Sequence, residues 1–154
     1  MSAEARLKEL NLELPAPPRA LGLYKPVVVV GGLAYLSGHG PIGVDGTAIC
    51  GRLGDDLDVQ AGYEAARRTA LLALATLRRR CGSLDRVRRL VKTMGLVQSV
   101  PTFSEHPAVI NGFSEVMRDV FGPDAGVAAR SAFGAPSLPA GWAVEIDAIF
   151  EVDE

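Results

Sequence analysis

The sequence has little of what marks the specialised protein classes. It holds two cysteines, Cys50 and Cys81, and two histidines, His39 and His106. They share no close spacing and form no zinc signature, so no metal site is expected and two reduced thiols in a cytoplasmic chain are the simple expectation. No segment approaches ~18 uninterrupted apolar residues, which excludes a spanning helix. The start, "MSAEARLKEL", carries charges throughout and has no apolar core, so it does not read as a secretory signal. Neither sign of charge dominates: 16 Lys and Arg face 18 Asp and Glu, and the pI is about 5.7. That balance argues against a dedicated nucleic-acid binder. What is present is an ordinary globular mixture, 48% apolar and 22% charged, in 154 residues, which suits one domain with a sizeable core. There is no internal repeat or low-complexity segment.

Residues 1–18 read as a short polar helix followed by an extended "PAPP", an N-terminal extension to a single domain over 19–154. Val27 to Val30 and Leu33 to Ser37 are β-rich, and Gly31-Gly32 between them signals a two-residue hairpin turn. The next stretch, "VDGTAICGRLGDDLD", reads as loop with at most one short strand. Asp58 is a good N-cap for a long helix whose Val59, Tyr63, Ala66, Ala70, Leu74 and Leu77 recur at steps of three and four. Gly82 ends it. "RVRRLVKTMGLVQSV" has the β-branched content of a strand. A second helix then starts with Thr102 or Ser104 as cap and Pro107 in the first turn. It carries Val109, Ile110, Phe113, Val116, Met117, Val120 and Phe121 at helical spacing and closes at Gly122.

The last segment, "AARSAFGAPSLPAGWAVEIDAIFEV", reads as a hairpin with Arg130 on one strand and Glu145 on the other. Trp142, Val144, Ile146, Ala148, Phe150 and Val152 alternate with Ala143, Glu145, Asp147, Ile149 and Glu151. The order β-β-(β)-α-β-α-β-β predicts an α+β layer with two long helices on one sheet face. The opposite face, with Glu145 and Asp147 beside Ile149, is a candidate subunit interface. From the residues alone, Arg130 and Glu145 are either a structural ion pair or part of a site.

The motifs "LYKPVVVVGGLAYLSGHGP", "VINGFSEVMRDVFG", "AARSAFG" and "AVEIDAIFEV", in this order over about Leu21 to Val152, resemble the YjgF, or reactive-intermediate deaminase (Rid), family. The resemblance implies a chorismate-mutase-like homotrimer with a central barrel and a pocket in each inter-subunit cleft. It implies hydrolysis of reactive enamines and imines, such as 2-aminoacrylate, to a 2-keto acid and ammonia, with no cofactor. On this alignment Arg130 binds the substrate carboxylate and Glu145 holds and activates water. Tyr24, Gly38 and Asn111 match pocket positions. The roles suit the side chains: a guanidinium fork grips a carboxylate bidentately, and a carboxylate moves protons.

There are departures from the pattern. Ala132 stands where many members have Cys, and His39 where glutamine often follows Ser-Gly; His39 either lines the pocket or is a loop histidine bonded to backbone. The loop before the first helix is longer. Arg78, Arg79, Arg80, Arg86, Arg88 and Arg89 crowd one region, read either as a solvated helix end or as an RNA-contacting patch. No aromatic platform accompanies them, and the chain has no paired-histidine ribonuclease constellation. Three functions follow: an enamine/imine deaminase, a keto-acid-binding trimer without this catalysis, or an endoribonuclease-like protein. The expected partners are two further copies and a small carboxylate metabolite, with neither membrane nor nucleic acid.

Overall fold

A computed structural model describes residues 1–153. The elements are α1 (Ala3–Glu9), β1 (Val27–Val30), β2 (Leu33–His39), α2 (Val59–Cys81), β3 (Val87–Gln98), α3 (His106–Ala125), β4 (Ala129–Ala135) and β5 (Val144–Val152). One mixed sheet has the order β1-β2-β5-β3-β4, and α2 and α3 pack on one of its faces. The expected α+β architecture is the one observed.

Local signals place most of these elements. Gly31 and Gly32 both adopt positive φ, 57° and 72°, and pair Val30 with Leu33 across a tight turn. Asp58 caps α2 through its side chain, 2.8 Å from the Ala61 amide, and Gly82 ends it in the left-handed region. Helix α3 differs from expectation at its start. Glu105 is the boundary residue and makes no side-chain cap, so neither Thr102 nor Ser104 serves. Pro107 in the first turn has no N–H, which removes one donor a cap would have had to satisfy.

The last two strands do not form a hairpin. β4 runs parallel to β3 with Arg130 opposite Thr93, and β5 lies antiparallel on the other side of β3 with Glu145 opposite Leu96. A strand that follows a helical crossover pairs in parallel with the strand before the helix. The β3-α3-β4 unit therefore claims one edge of β3. The linker 136–143, with Pro136 and Pro139, carries the chain past β3 to its free edge. Arg130 and Glu145 are separated by a strand and lie on opposite sheet faces. No ion pair joins them among the described residues.

The helix-facing side of the sheet supplies Ala34, Leu36, Leu90, Val97, Val144, Ile146, Ala148 and Phe150 to a core shared with Ala66, Ala70, Leu74, Leu77, Ile110, Phe113 and Met117. Burying each large side chain stabilises the fold by ~1.5–3 kcal/mol. The other face is bare and largely apolar: Val28, Val30, Tyr35, Met94 and Phe133 are exposed, with Glu145, Asp147 and Lys92 among them.

In α2 every residue from 71 to 77 is buried, not only one face. The N-terminal residues account for this. Leu12 and Leu14 pack on the core from outside, and α1 buries Ala3 and Leu7. The Glu4 carboxylate clamps this segment down. It accepts from Arg78 Nε and Nη2 at 3.1 and 2.6 Å and from the Leu84 amide at 2.9 Å. Burial works to raise the Glu4 pKa, but these bonds prevail and hold it below its ordinary value. A carboxyl with a depressed folded pKa contributes stability above its unfolded pKa and loses it as pH falls through the folded one. Glu4→Gln should therefore cost about 1 kcal/mol at pH 7, modest because Arg78 is 42% exposed. Denaturant titrations of the two proteins should converge in strongly acidic buffer.

Candidate active site

The sequence-predicted site residues fall into two groups. The first gathers at the end of β2. Strict alternation would send His39 to the bare face, since Ala34 and Leu36 face the helices. A bulge against β5 intervenes: Leu36 pairs with Ala148, but His39 pairs with Ile146, so three steps on β2 match two on β5. His39 is thereby turned inward and is 3% exposed. Its Nδ1 lies 2.6 Å from the Ser37 carbonyl oxygen and its Nε2 2.8 Å from Thr76 Oγ1. Burial lowers its pKa against the opposing pull of the Ser37 carbonyl, which keeps the ring neutral at pH 7. It is a strand residue anchored to α2, not a loop histidine.

The same bulge leaves Gly38 over Glu145. A Cβ at Gly38 would stand 2.2 Å from Glu145 Oε1, so glycine is what lets the carboxylate lie against this backbone. Tyr24, Ser37, Gly38, His39, Leu72 and Trp142 line a cavity of about 190 Å³ at this point. The Tyr24 hydroxyl accepts from the Leu21 amide at 3.2 Å. Glu145 is half-buried and has no hydrogen-bond donor among the described residues. Burial raises its pKa, and the neighbouring Asp147 carboxylate raises it further. Burial also raises that of Asp147. A carboxylate whose pKa is raised by burial and a neighbouring charge, beside an apolar cavity, has the character of a group that takes up and releases protons.

The second group lies across the sheet. Arg130 Nη1 donates to Asn111 Oδ1 at 2.8 Å and to Ser114 Oγ at 3.2 Å, and its Nη2 to the Pro107 carbonyl at 3.4 Å. Asn111 and Ser114 are three residues apart on α3, hence on one helix face. That spacing was a readable signal, yet Ser114 was not singled out from the sequence. The structure brings Arg130 and Asn111 together, places Tyr24, Gly38 and His39 round one cavity, and lays Glu145 against Gly38 from the bare face, but does not join the Arg130 pair to the rest within one chain.

The arginine-rich region divides as well. Arg78 pairs with Glu4, Arg88 with Asp153 and Arg89 with Asp124. It is therefore not one continuous cationic surface. Neither histidine is offered as half of a ribonuclease pair: His39 is buried, and His106 stacks edge-on against Phe103. Among the described residues no cluster of three or more His, Cys, Asp or Glu side chains is placed to hold a metal, and no helix is long and apolar enough to cross a membrane.

Two long helices on one face of a five-stranded mixed sheet, with a cavity at a bulged strand end, define a chorismate-mutase-like domain. The family described as "YjgF/chorismate mutase-like, putative endoribonuclease" matches residues 4–149, so its match includes most of α1. The chain belongs to this family, the YjgF or Rid family. It is 39% identical to Protein TCP17 of Trypanosoma cruzi over 149 residues, covering 97% of this chain and 93% of the relative. A crystal structure of an Agrobacterium tumefaciens protein of unknown function shares 42% identity with a TM-score of 0.88, over 98% of this chain and 94% of that one. Another, described as a "putative endoribonuclease" from Shewanella oneidensis, shares 31% identity with a TM-score of 0.93, over 99% and 100%.

The Glu145 environment is directly testable. Asp147→Asn removes the neighbouring negative charge while keeping the shape, so the Glu145 carboxyl should titrate at lower pH than in the wild type. Carbon-detected NMR of the side-chain carboxyls reads this shift; an unchanged Glu145 titration would leave burial as the sole cause.

Proposed function

We propose that this protein is a hydrolytic deaminase of reactive enamine and imine metabolites of the 2-aminoacrylate type, acting as a cyclic homotrimer. The observation that carries the proposal is the division of the site. The carboxylate anchor Arg130 and the proton-handling Glu145 lie on opposite sheet faces of one chain, too far apart in the fold to grip one small molecule. Arg130 sits on an edge strand, and the sheet face around Glu145 is bare and apolar, as a face awaiting another copy would be. A neighbour's β4 laid against the β2-β5 end would bring its Arg130 and Asn111 to Glu145 and to the Gly38 backbone that separates it from the small cavity.

The chemistry then runs as follows. The substrate carboxylate is held by the guanidinium fork of Arg130, already oriented by Asn111 and Ser114. The enamine takes a proton from solvent at its terminal carbon and becomes the iminium. Water adds to the C=N carbon, Glu145 accepting its proton. The resulting carbinolamine takes that proton from Glu145 on nitrogen, the C–N bond breaks with loss of ammonia, and the hydroxyl proton returns to solvent as the carbonyl of the 2-keto acid forms. Glu145 thus acts first as base and then as acid, a use that its raised pKa favours.

The endoribonuclease description attached to the family and to the Shewanella protein finds less support in this chain, because its histidines are committed elsewhere and Arg78, Arg88 and Arg89 are each paired with a carboxylate. A coupled assay that generates 2-aminoacrylate, with keto acid as readout, separates the deaminase from a binding protein of the same shape. Glu145→Gln should lose ~10²–10⁴-fold in turnover while still binding pyruvate. Wild-type turnover in that variant would remove Glu145 from the mechanism. Arg130→Ala should weaken pyruvate binding by ~10–150-fold, the worth of a charge-assisted bidentate contact, and Arg130→Lys should recover only part. Light scattering should give three times the chain mass; a monomer in dilute solution would dismantle the shared site.

A further inference from the structure

A second cleft, of about 580 Å³, lies on the helix side of the sheet, between the proline-rich segment 17–20, the start of β1 and the last turns of α2. Pro17, Pro26 and Val27 give it apolar walls, and Arg19, Arg79 and Arg80 give it cationic ones. No acidic residue lines it. None of these three guanidinium groups has an ion-pair or hydrogen-bond partner among the described residues, whereas Arg78, Arg88 and Arg89 in the same stretch each meet a carboxylate. The helix dipole favours cations at the end of α2 and so accounts for Arg79 and Arg80. It does not account for Arg19, which comes from a distant segment to the same cavity. Three uncompensated like charges round one cavity, in a chain of net charge −2, form a focused positive potential that attracts an anion.

We propose that this cleft binds a small organic phosphate, its phosphoryl group held by Arg19, Arg79 and Arg80 and its body resting on Pro17, Pro26 and Val27. Three forked donors match a dianion with three terminal oxygens, where a monocarboxylate would leave one or more guanidinium groups unused. The volume falls in the range of small-molecule sites, roughly 300–1,000 Å³, and far exceeds what a bare phosphate ion fills. The cleft lies on the helix side of the sheet, away from the bare face. It also touches the candidate active site. Thr76 lines it and bonds His39, and Pro18, Arg19 and Pro26 line both cavities. The assignment does not depend on the deaminase proposal.

Calorimetric titration of the full chain with a pentose 5-phosphate, the free pentose and inorganic phosphate tests it. The expected result is saturable binding of the ester, one per chain, with the free pentose and inorganic phosphate each at least ~10-fold weaker. The double variant Arg79→Ala, Arg80→Ala should lose at least ~10-fold in ester affinity with an unchanged Tm, since both side chains are exposed. Arg130→Ala should bind the ester as the wild type does, which separates this site from the keto-acid site. The proposal is overturned if no probe binds, if the double variant binds the ester as the wild type does, or if inorganic phosphate binds as tightly as the ester. It is also overturned if a single-stranded oligonucleotide binds more tightly than the ester with a steep salt dependence, which would assign these arginines to a nucleic-acid backbone.

Discussion

The crossing of α2 and α3 at Gly112 is the contact on which the rest of the molecule depends. A Cβ at that position would stand 2.0 Å from the Tyr63 carbonyl oxygen and 3.1 Å from the Arg67 nitrogen, both backbone atoms that cannot swing aside. Only glycine permits this approach, and the approach sets the height of α3 above the sheet. From there Ile110 presses onto Gly95 of β3, where a Cβ would meet Ile110 Cδ1 at 2.6 Å. Asn111 and Ser114 flank Gly112 on the same helix and reach Arg130 on the edge strand. The orientation of the guanidinium is thus a consequence of helix packing in the layer above the sheet. A larger residue at Gly112 would not merely destabilise the core; it would lift α3 and with it the Asn111 and Ser114 contacts to Arg130.

The sheet acts as a partition. Its helix side holds Arg130, His39 and the cleft at the end of α2, and its bare side holds Glu145 and Asp147. Two carboxylates on a largely apolar surface are costly as charges, which is what their raised pKa values express. Covering that surface with another copy would increase the cost unless a cation arrived with it. On the proposed function, a neighbour's Arg130 is such a cation. The electrostatic need of Glu145 and the chemical need of the substrate carboxylate then point to the same side chain.

How much of this was legible in the sequence follows the range of the interactions. Asp58, Gly31-Gly32 and Gly82 act on their own neighbours, and each marked its boundary correctly. The alternation along β5 sorted Val144, Ile146, Ala148 and Phe150 from Glu145 and Asp147, because period two is a property of any strand. The partner of β4 was misread as β5, since strand pairing is set by the β3-α3-β4 crossover and not by the short gap between β4 and β5. His39, readable either as a pocket residue or as a loop histidine bonded to backbone, lines the small cavity and meets the Ser37 carbonyl, but from the end of β2, where one extra residue reverses its side. Glu145 and Gly38 were named as site residues through the family resemblance. Their mutual contact, and the grip of Asn111 and Ser114 on Arg130, belong to tertiary packing and had no local signature beyond helical spacing.

The stretch from Leu71 to Leu77 shows why the N-terminal residues belong to the working structure. A helix buried on all sides in a chain this short needs cover beyond one sheet and one partner helix. The segment before β1 provides it: Leu71 faces the cavity beside Asn11 and Leu12, Leu72 faces the one beside Tyr24, and Thr76 faces the cleft of Arg19 and Arg79. Glu4, bonded to Arg78 and Leu84, holds the beginning of that segment in place. Loosening the clamp would act on the core directly, through Ala3 and Leu7, and Pro18, Arg19 and Tyr24 further along the segment line the small cavity and the cationic cleft. The family match starting at residue 4 takes in most of this first helix.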